Sequence, residues 1–305
     1  MSLESDVYEA VKLNSLVFLN KGIKELSSHN DSDDTPLDID LTTISISLLQ
    51  ISFELALNAY SIKKTGIRSI LRNKESDMSD NEISTLFQSN ELPTKNFNIL
   101  LDEMQLRYNL FDTVALHHIR LFQKIRNKLV HLHCNLDEGD RYDLKYELIY
   151  FIVHILIWLI NTTDIFLSTS QILENQLDDI AYKKLILFQP YVDEMEKLAR
   201  RDSNNVYRCF FCRENTFATE KELCYTCNYD FADQVFTDCG RCKATDSVIY
   251  DHLNIEINDN EARGLCLNCD DDDIYYRCPE CENLYGLEAS IGVDICTPVK
   301  CQQYT

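Results

Sequence analysis

The chain has 305 residues, of which 45% are hydrophobic, and it carries 50 acidic and 29 basic side chains for a formal net charge of −21. This length and hydrophobic content are typical of one or two globular domains and argue against a disordered chain. Only 7 glycines are present, and no GxxxxGK[ST] or GxGxxG segment occurs, which argues against a P-loop ATPase or a Rossmann oxidoreductase.

The first ten residues, MSLESDVYEA, are acidic and polar, so they have neither the positive nor the apolar region of an export signal. The most apolar run is LIYFIVHILIWLI at 148–160. It is shorter than the roughly 20 residues that a membrane-spanning helix needs. We therefore expect this run to form a buried core helix, and we expect a cytoplasmic protein that does not enter a membrane.

Apolar residues at helical spacing predict helices through the first two thirds of the chain, without a convincing strand pattern. The predicted helices cover about 5–27, 41–64, 80–89, 94–107, 112–134, 141–162 and 170–199. The last of them is long enough to contain a break. The acidic stretch at 27–40 is rich in turn formers and is predicted to be a solvated loop. An all-helical bundle is the expected architecture of this part.

Cysteine usage divides the chain into two parts. Residues 1–200 contain a single cysteine, Cys134, which we interpret as a core thiol, and all other cysteines lie between 209 and 301. The polar stretch LARRDSNNVY at 198–207 is the natural linker. The sequence thus predicts a mainly α protein, with a small helical bundle at 1–200 and a small β-rich zinc-ribbon domain at 205–305.

The second domain carries a ladder of five CxxC pairs and two further cysteines. The ladder consists of Cys209, Cys212, Cys224, Cys227, Cys239, Cys242, Cys266, Cys269, Cys278, Cys281, Cys296 and Cys301. Two thiolates separated by two residues can face one ion across a tight turn, and a second pair completes a tetrahedral shell. The ladder therefore predicts three four-cysteine sites for structural zinc, with no open coordination position and no catalytic metal.

The spacing leaves two pairings open. The simplest is sequential, with 209/212 joined to 224/227, 239/242 joined to 266/269, and 278/281 joined to 296/301. A cross-braced arrangement of the first four pairs is the alternative.

The second domain is strongly acidic. Residues 201–305 hold 20 acidic and 9 basic side chains, and each zinc site with four thiolates adds further negative charge. Such a surface repels phosphate, which argues against the nucleic-acid binding of many zinc ribbons. A basic protein partner is the expectation, with NCDDDD at 268–273 as a candidate contact, and a solvated acidic loop is the alternative.

Basic side chains gather in one helical segment of the first domain. Between Asp112 and Asp137 the chain has no acidic residue, and on an ideal wheel one face of this segment is basic and polar. That face carries His117, Arg120, Gln123, Lys124, Asn127, Lys128 and His131. It is the one credible phosphate-binding surface of so acidic a chain, and we assign substrate contacts to His117, Arg120, Lys124 and Lys128.

Arg126 lies on the opposite, apolar half of the same helix, between the directions of Ile119 and Phe122. A buried guanidinium without a partner is costly, so its surroundings should supply an anion. Glu54 is the only charged residue from 41 to 62 and is the internal candidate to hold and orient Arg126. An ordinary surface glutamate is the alternative interpretation.

The segment RNKLVH at 126–131 resembles the Rx4-6H motif of the HEPN superfamily, including the polar residue, Asn127, after the arginine. The setting is similar too, because the motif lies late in a small helical bundle, after the ELALNAY helix at 54–60. The resemblance implies that 1–200 is a HEPN-like domain of a homodimeric, metal-independent endoribonuclease whose two motifs meet across a two-fold axis. It also implies a role as a toxin or an anti-phage defence effector, with tRNA or another structured RNA as substrate.

The chemistry of these residue types is compatible with that implication. RNA carries its own nucleophile, the 2′-OH, so cleavage needs proton transfer and charge stabilisation without a bound metal. His131 can move the proton near neutral pH, and Arg126 can grip the phosphate oxygens. Asn127 can bond the imidazole or the phosphate. The expected products are a 2′,3′-cyclic phosphate and a 5′-hydroxyl.

Two other functions fit the same sequence. The first is a non-catalytic, HEPN-like adaptor that binds RNA or a nucleotide and uses its zinc-ribbon tail for protein interaction. The second is a zinc scaffold in an assembly, in which the basic face is only a solvated surface.

Overall fold

The computed structural model describes residues 3–28, 37–72, 77–132, 137–163, 169–231, 236–249, 256–258, 261–270, 272–277 and 284–286. By their internal contacts the residues divide into two compact units, Met1–Tyr191 and Val192–Thr305. The described part of the first unit is helical, and short strands occur mainly in the second. The protein is therefore mainly α with a small cysteine-rich β part, as the sequence predicts.

The helices begin and end close to the predicted positions. They are α1 Leu3–Ser27, α2 Ile39–Thr65, α3 Asp80–Gln88, α4 Phe97–Tyr108, α5 Thr113–Leu132, α6 Glu138–Tyr150, α7 Trp158–Thr163, α8 Thr169–Asn175, α9 Asp179–Ile186 and α10 Gln189–Asp202. A π-helical segment, Phe151–Ile157, joins α6 to α7. The predicted helix at 170–199 is broken into α8, α9 and α10, and α10 continues through the start of the predicted linker to Asp202.

Helix α2 forms the centre of the first unit and packs against α1, α4, α5 and α7. Phe53 is fully buried there, with its ring 5.2 Å from the ring of Phe97 and 5.2 Å, edge-on, from the ring of Phe151. By length and composition α2 is the one helix among the described residues that could cross a membrane, and 44% of its apolar window is buried inside the protein. These contacts fit a core helix of the first unit.

Small residues let α1 and α2 approach closely. The hydroxyls of Ser15 and Ser52 each donate a hydrogen bond to the other residue's carbonyl oxygen, at 2.9 and 2.8 Å. At Gly22 a Cβ atom would lie 3.0 Å from the side chain of Leu49, which is fully buried. A larger residue at this crossing would therefore require the side chain of Leu49 to shift.

The apolar run at 148–160 is buried, as the sequence predicts. Phe151 in this run stacks on Phe122 of α5, with ring centroids 3.9 Å apart and planes within 4°. This contact places Phe122 on the inward side of α5, where Ile119 and Leu129 are also buried.

Helix α3 has a complete capping box. The backbone N–H of Ser79 donates to a carboxylate oxygen of Glu82 at 2.8 Å, and Ser79 Oγ accepts from the N–H of Glu82 at 3.4 Å. We expect Ser79→Ala to lower the free energy of unfolding by about 1 kcal/mol, because an N-terminal donor loses its partner. Urea unfolding of the purified variant measures this loss.

The same cap predicts a pH dependence. Hydrogen bonds from the Ser79 side chain and backbone lower the pKa of Glu82, so its stabilisation is present at neutral pH and is lost as pH falls through that lowered pKa. The difference between wild type and Ser79→Ala should shrink on acidification. A difference that grows towards low pH would contradict the assigned cap.

The described residues of the second unit form two antiparallel sheets. The first consists of β1 Val206–Tyr207, β2 Phe217–Ala218 and β3 Leu223–Cys224, in that order. The second contains β4 Val248–Ile249, β5 Glu256–Asn258, β6 Glu261–Cys266, β7 Asp272–Arg277 and β8 Leu284–Gly286. Its order is β4-β6-β7-β8, with β5 also paired to β6. Each of the two sheets contributes a strand whose last residue is a cysteine of the ladder, Cys224 in β3 and Cys266 in β6.

Candidate functional site

Four cysteines around the first sheet form a closed cluster. Cys209, Cys212, Cys224 and Cys227 are all buried, and their sulfur atoms lie within 4.8 Å of one another. The sulfur of Cys209 is 3.7 Å from that of Cys227, and the sulfur of Cys212 is 3.6 Å from that of Cys224. A disulfide needs about 2.05 Å, so these are four free thiols.

A second cluster lies beside β4 and β6. It consists of Cys239, Cys242, Cys266 and Cys269, with sulfur distances of 3.9 Å for Cys239 to Cys269 and 3.7 Å for Cys242 to Cys266. Four sulfurs at about 2.3 Å from a tetrahedral metal lie about 3.8 Å apart. Both clusters therefore have the dimensions of a four-cysteine metal site.

The two clusters decide the pairing that the spacing leaves open. Each consists of consecutive CxxC pairs, so the first four pairs are sequential and not cross-braced. The third predicted site, with Cys278, Cys281, Cys296 and Cys301, lies outside the described residues.

All four described CxxC turns have the same backbone design. The residue after the second cysteine has positive φ, between 55° and 67°, and its N–H donates to the carbonyl oxygen of the first cysteine at 2.8 to 3.0 Å. These residues are Arg213, Asn228, Lys243 and Asp270. Side chains other than glycine adopt this conformation at a cost, and only Asn228 and Asp270 are of the types that tolerate it well. The turns are thus shaped for presenting two sulfurs to one point.

The second cluster is the more open of the two. Cys269 is exposed and Cys242 is half-buried, whereas every cysteine of the first cluster is buried. Partial burial opposes ionisation of Cys242, but the side-chain amide of Asn268, 3.4 Å from its sulfur, the backbone at Ala244 and the neighbouring thiols lower its pKa to about 6. A thiolate at this position is the form that binds metal.

The acidic stretch at 268–273 is partly engaged within the second unit. Asn268 donates to the sulfur of Cys242, and Asp270 forms an ion pair with Arg208 at 2.6 Å. Asn268 is therefore held at the second cysteine cluster and Asp270 at Arg208, and a basic partner remains a prediction.

A polar groove of about 880 Å³ opens in the first unit. Gln50 and Glu54 of α2 and Gln123 and Arg126 of α5 line it, together with Arg72 and the residues from Thr94 to Ile99. This groove contains the arginine that the sequence singles out.

Arg126 occupies the middle of the inward stripe of α5. Ile119, Phe122 and Leu129, on the same stripe, are buried. Arg126 itself is only half-buried, because the groove opens at this point, so the expectation of a fully buried guanidinium is corrected. Its Nε atom is nevertheless buried and has no hydrogen-bond partner within the described residues, and Nη1 donates to Oδ1 of Asn127 at 3.1 Å.

Glu54 does not form the expected ion pair with Arg126 among the described contacts. Its carboxylate accepts a hydrogen bond from Nε2 of Gln50 at 2.7 Å, and Oε1 of Gln50 accepts one from Nε2 of Gln123 at 2.5 Å. Gln50 is almost completely buried and lies one turn before Glu54, so its amide needs this nearby acceptor. These two hydrogen bonds hold the carboxylate of Glu54 in the groove. Arg126 has no carboxylate partner among the described residues.

The predicted basic face is a solvent-exposed surface. His117, Arg120, Lys124, Asn127 and Lys128 are all exposed. Three of them, Arg120, Lys124 and Lys128, make no ion pair with the described residues. His131 lies within α5, but its side chain is outside the described part of the chain, as are His133 and Cys134.

Two polar features have no signal in the sequence. Nδ1 of His118 lies 2.7 Å from a carboxylate oxygen of Glu147, and the imidazole stacks on Tyr150 at 4.0 Å. Burial, followed by the charges of Asp112 and Glu147, raises the pKa of Tyr150.

The other feature is Arg72, which reaches the groove from a segment more than fifty residues away from Arg126. Neither could be found from local spacing.

The structure thus defines a mainly helical protein with an arginine-containing groove and two described four-cysteine clusters that could each hold a metal ion. The chain matches no protein-family model, no curated protein and no solved structure.

Proposed function

We propose that this protein is a metal-independent endoribonuclease that binds an RNA phosphate in the groove of the first unit. The observation that carries the proposal is Arg126, whose buried Nε has no partner among the described residues and whose guanidinium lines an open groove without a paired carboxylate there. A buried donor without a partner is costly, and an anion bound beside Arg126 would supply that partner. The resemblance of RNKLVH to the HEPN motif supports RNA as the source of that anion.

In the proposed reaction the 2′-oxygen of RNA attacks the adjacent phosphorus, and the bond from phosphorus to the 5′-oxygen breaks. Arg126 stabilises the charge that builds on the phosphate oxygens, since its free donors face the groove. His131 transfers a proton, and Asn127 holds the Nη1 end of Arg126 in place. Glu54, oriented by Gln50, is the carboxylate available in the groove to assist proton removal from the 2′-OH. The products are a 2′,3′-cyclic phosphate and a 5′-hydroxyl.

A homodimer completes the proposal. The motif supplies one histidine per helix, whereas cleavage needs both a base and an acid, and two subunits related by a two-fold axis would provide a second set. His117, Arg120, Lys124 and Lys128 are exposed for contacts with the RNA backbone. We place the protein in the cytoplasm, as a toxin or an anti-phage defence effector that acts on tRNA or another structured RNA.

We assign structural zinc to the two described clusters and to the third predicted set of cysteines. The sulfur spacing fits a Zn–S distance of about 2.3 Å, and a complete thiolate shell leaves no position for a reacting water. The zinc-binding unit then serves as an interaction module, with a basic protein as the partner.

A non-catalytic adaptor is the second candidate. It is favoured by one observation, namely that the described residues lining the groove include cations and amides but no histidine. Such a groove is sufficient for binding RNA or a nucleotide without cleaving it.

An EDTA-resistant cleavage assay tests the proposal. Purified protein of measured zinc content is incubated with total RNA in EDTA, and we expect discrete fragments that carry cyclic phosphate and 5′-hydroxyl ends. An oligonucleotide with 2′-deoxyribose throughout should remain intact because it lacks the nucleophile. Binding of RNA without fragments would favour the adaptor, and cleavage that depends on added Mg²⁺ would contradict the mechanism.

A further inference from the structure

We propose that Arg72 is a second phosphate-binding residue of the groove, so that Arg72 and Arg126 together hold two phosphates of one unpaired RNA segment. This inference rests on the proposed function and deepens it by naming the part of the RNA that is bound. It follows from three features of the groove: how Arg72 is held, which charges are already paired, and how large the space is.

A short antiparallel connection holds Arg72 at the groove. Leu71 pairs with Thr94, the N–H of Arg72 donates to the carbonyl oxygen of Pro93 at 3.2 Å, and the N–H of Lys95 donates to that of Ile70 at 2.8 Å. Nε of Arg72 also donates to the carbonyl oxygen of Thr94 at 3.1 Å. The stem of Arg72 is therefore fixed to the wall, and its two terminal nitrogens make no hydrogen bond to the described residues.

The charges of the groove divide into paired and unpaired groups. Lys95 forms an ion pair with Glu103 at 2.6 Å, with side chains 10% and 27% exposed, so its charge is already compensated. Glu54, the only carboxylate among the described lining residues, accepts a hydrogen bond from Gln50. Within the described part of the chain, Arg72 and Arg126 have no carboxylate partner. The described lining residues therefore carry a net positive charge in a strongly acidic protein.

The size of the groove exceeds the needs of one phosphate. Its volume of about 880 Å³ lies near the upper end of the range of about 300–1,000 Å³ for pockets that hold small molecules. The lining also includes Thr94, Asn96 and Asn98, whose side chains can bond to ribose hydroxyls and base edges. A paired RNA helix is too wide for this space, whereas unpaired bases in loops and ends can be splayed into it.

The test measures binding of a fluorescein-labelled, single-stranded 2′-O-methyl oligonucleotide, which cannot be cleaved, by anisotropy over a range of salt concentrations. We expect Arg72→Gln to raise Kd about tenfold and to reduce the slope of log Kd against log salt by about 0.7, the value for one phosphate contact on a single strand. Arg72→Lys should keep most of the slope, because it keeps the charge. The same oligonucleotide annealed to its complement should bind more weakly.

Arg68→Gln is the matched control. Arg68 lies four residues before Arg72, is equally an exposed arginine, and already forms an ion pair with Asp80 at 2.8 Å outside the groove lining. We expect its Kd to remain within about twofold of wild type, because it makes no contact in the groove. Circular dichroism and thermal unfolding of all variants separate lost contacts from lost folding.

The outcomes separate this inference from the proposed function. RNA cleavage by the wild type combined with an unchanged Kd and slope in Arg72→Gln would overturn the role of Arg72 alone. RNA that is bound in an Arg72-dependent manner but never cleaved would support the two-arginine contact and contradict the nuclease. Absence of any binding to the oligonucleotide would contradict both.

Discussion

Replacement of Arg126 by alanine is expected to lower the rate of RNA cleavage by a factor of about 10² to 10³, the usual effect of removing one donor that stabilises developing charge. The helical unit should remain folded, and its free energy of unfolding should be unchanged or higher. The reason is that the buried Nε of Arg126 has no hydrogen-bond partner among the described residues, so its removal also removes the cost of an unsatisfied donor. Initial cleavage rates and urea unfolding measure the two effects separately.

Three variants complete the Arg126 experiment. Arg126→Lys keeps the positive charge but cannot form two parallel hydrogen bonds to a phosphate. Its cleavage rate should therefore be only part of the wild-type rate. His131→Ala should lose a factor of about 10² to 10⁴, as expected for a proton carrier. Arg107→Ala, an exposed arginine of α4 outside the groove lining, is the control and should leave the rate unchanged. Cleavage by Arg126→Ala at the wild-type rate would show that the groove is not the active site.

The second large effect concerns the first cysteine cluster. Cys224→Ser should remove one metal ion per chain and unfold the turns and strands of 206–231. Cys224 is fully buried at the end of β3, where its sulfur lies 3.6 Å from that of Cys212 and 3.2 Å from the hydroxyl of Thr216. Metal binding to structural thiolate sites contributes about 10–16 kcal/mol to folding. Residues 206–231 are therefore not expected to stay folded without the metal.

Zinc content and limited proteolysis report the loss at the Cys224 site. We expect new cleavage points between 206 and 231 in Cys224→Ser, with the thermal unfolding of the helical unit unchanged. Glu220→Gln, an exposed change on the same segment, should keep its zinc and its resistance to protease. Cys269→Ser should have a milder effect on its own cluster, because Cys269 is the exposed ligand there. Full zinc occupancy in Cys224→Ser would contradict the site.

Patterns within short stretches of the sequence were sufficient to predict much of the fold. Helical periodicity placed α1 to α5 within a few residues and covered the region of α6 to α10 without locating its breaks, because each helix buries one stripe of its own surface and the stripe repeats every turn. The ladder spacing was sufficient to indicate the two described cysteine clusters, since a CxxC turn is itself short enough to set the distance between two sulfurs. The position of Arg126 on the inward stripe of α5 was also readable from the wheel.

Contacts between distant segments were decided only by the tertiary structure. The wheel could show that Arg126 points inward, but not that the space beside it is a groove and not a packed core. The sequence singles out Glu54 as a partner for Arg126 because it is the only charged residue on that part of α2. In the structure Glu54 instead accepts a hydrogen bond from Gln50, which is itself bonded by the amide of Gln123 on another helix. Arg72 reaches the same groove only through the pairing of Leu71 with Thr94.

The sequence by itself determined where most of the helices lie, that the first part of the chain is helical, and which cysteines are candidate metal ligands. Only the tertiary structure decided that the first four cysteine pairs associate sequentially, that Arg126 has no carboxylate partner among the described residues, and that Arg72 joins it in one groove. The physical reason is the range of the forces involved. Helical periodicity and tight turns depend on neighbours within one or two turns of the chain, whereas the pairing of a buried charge depends on whichever distant side chain the packing brings within about 3 Å.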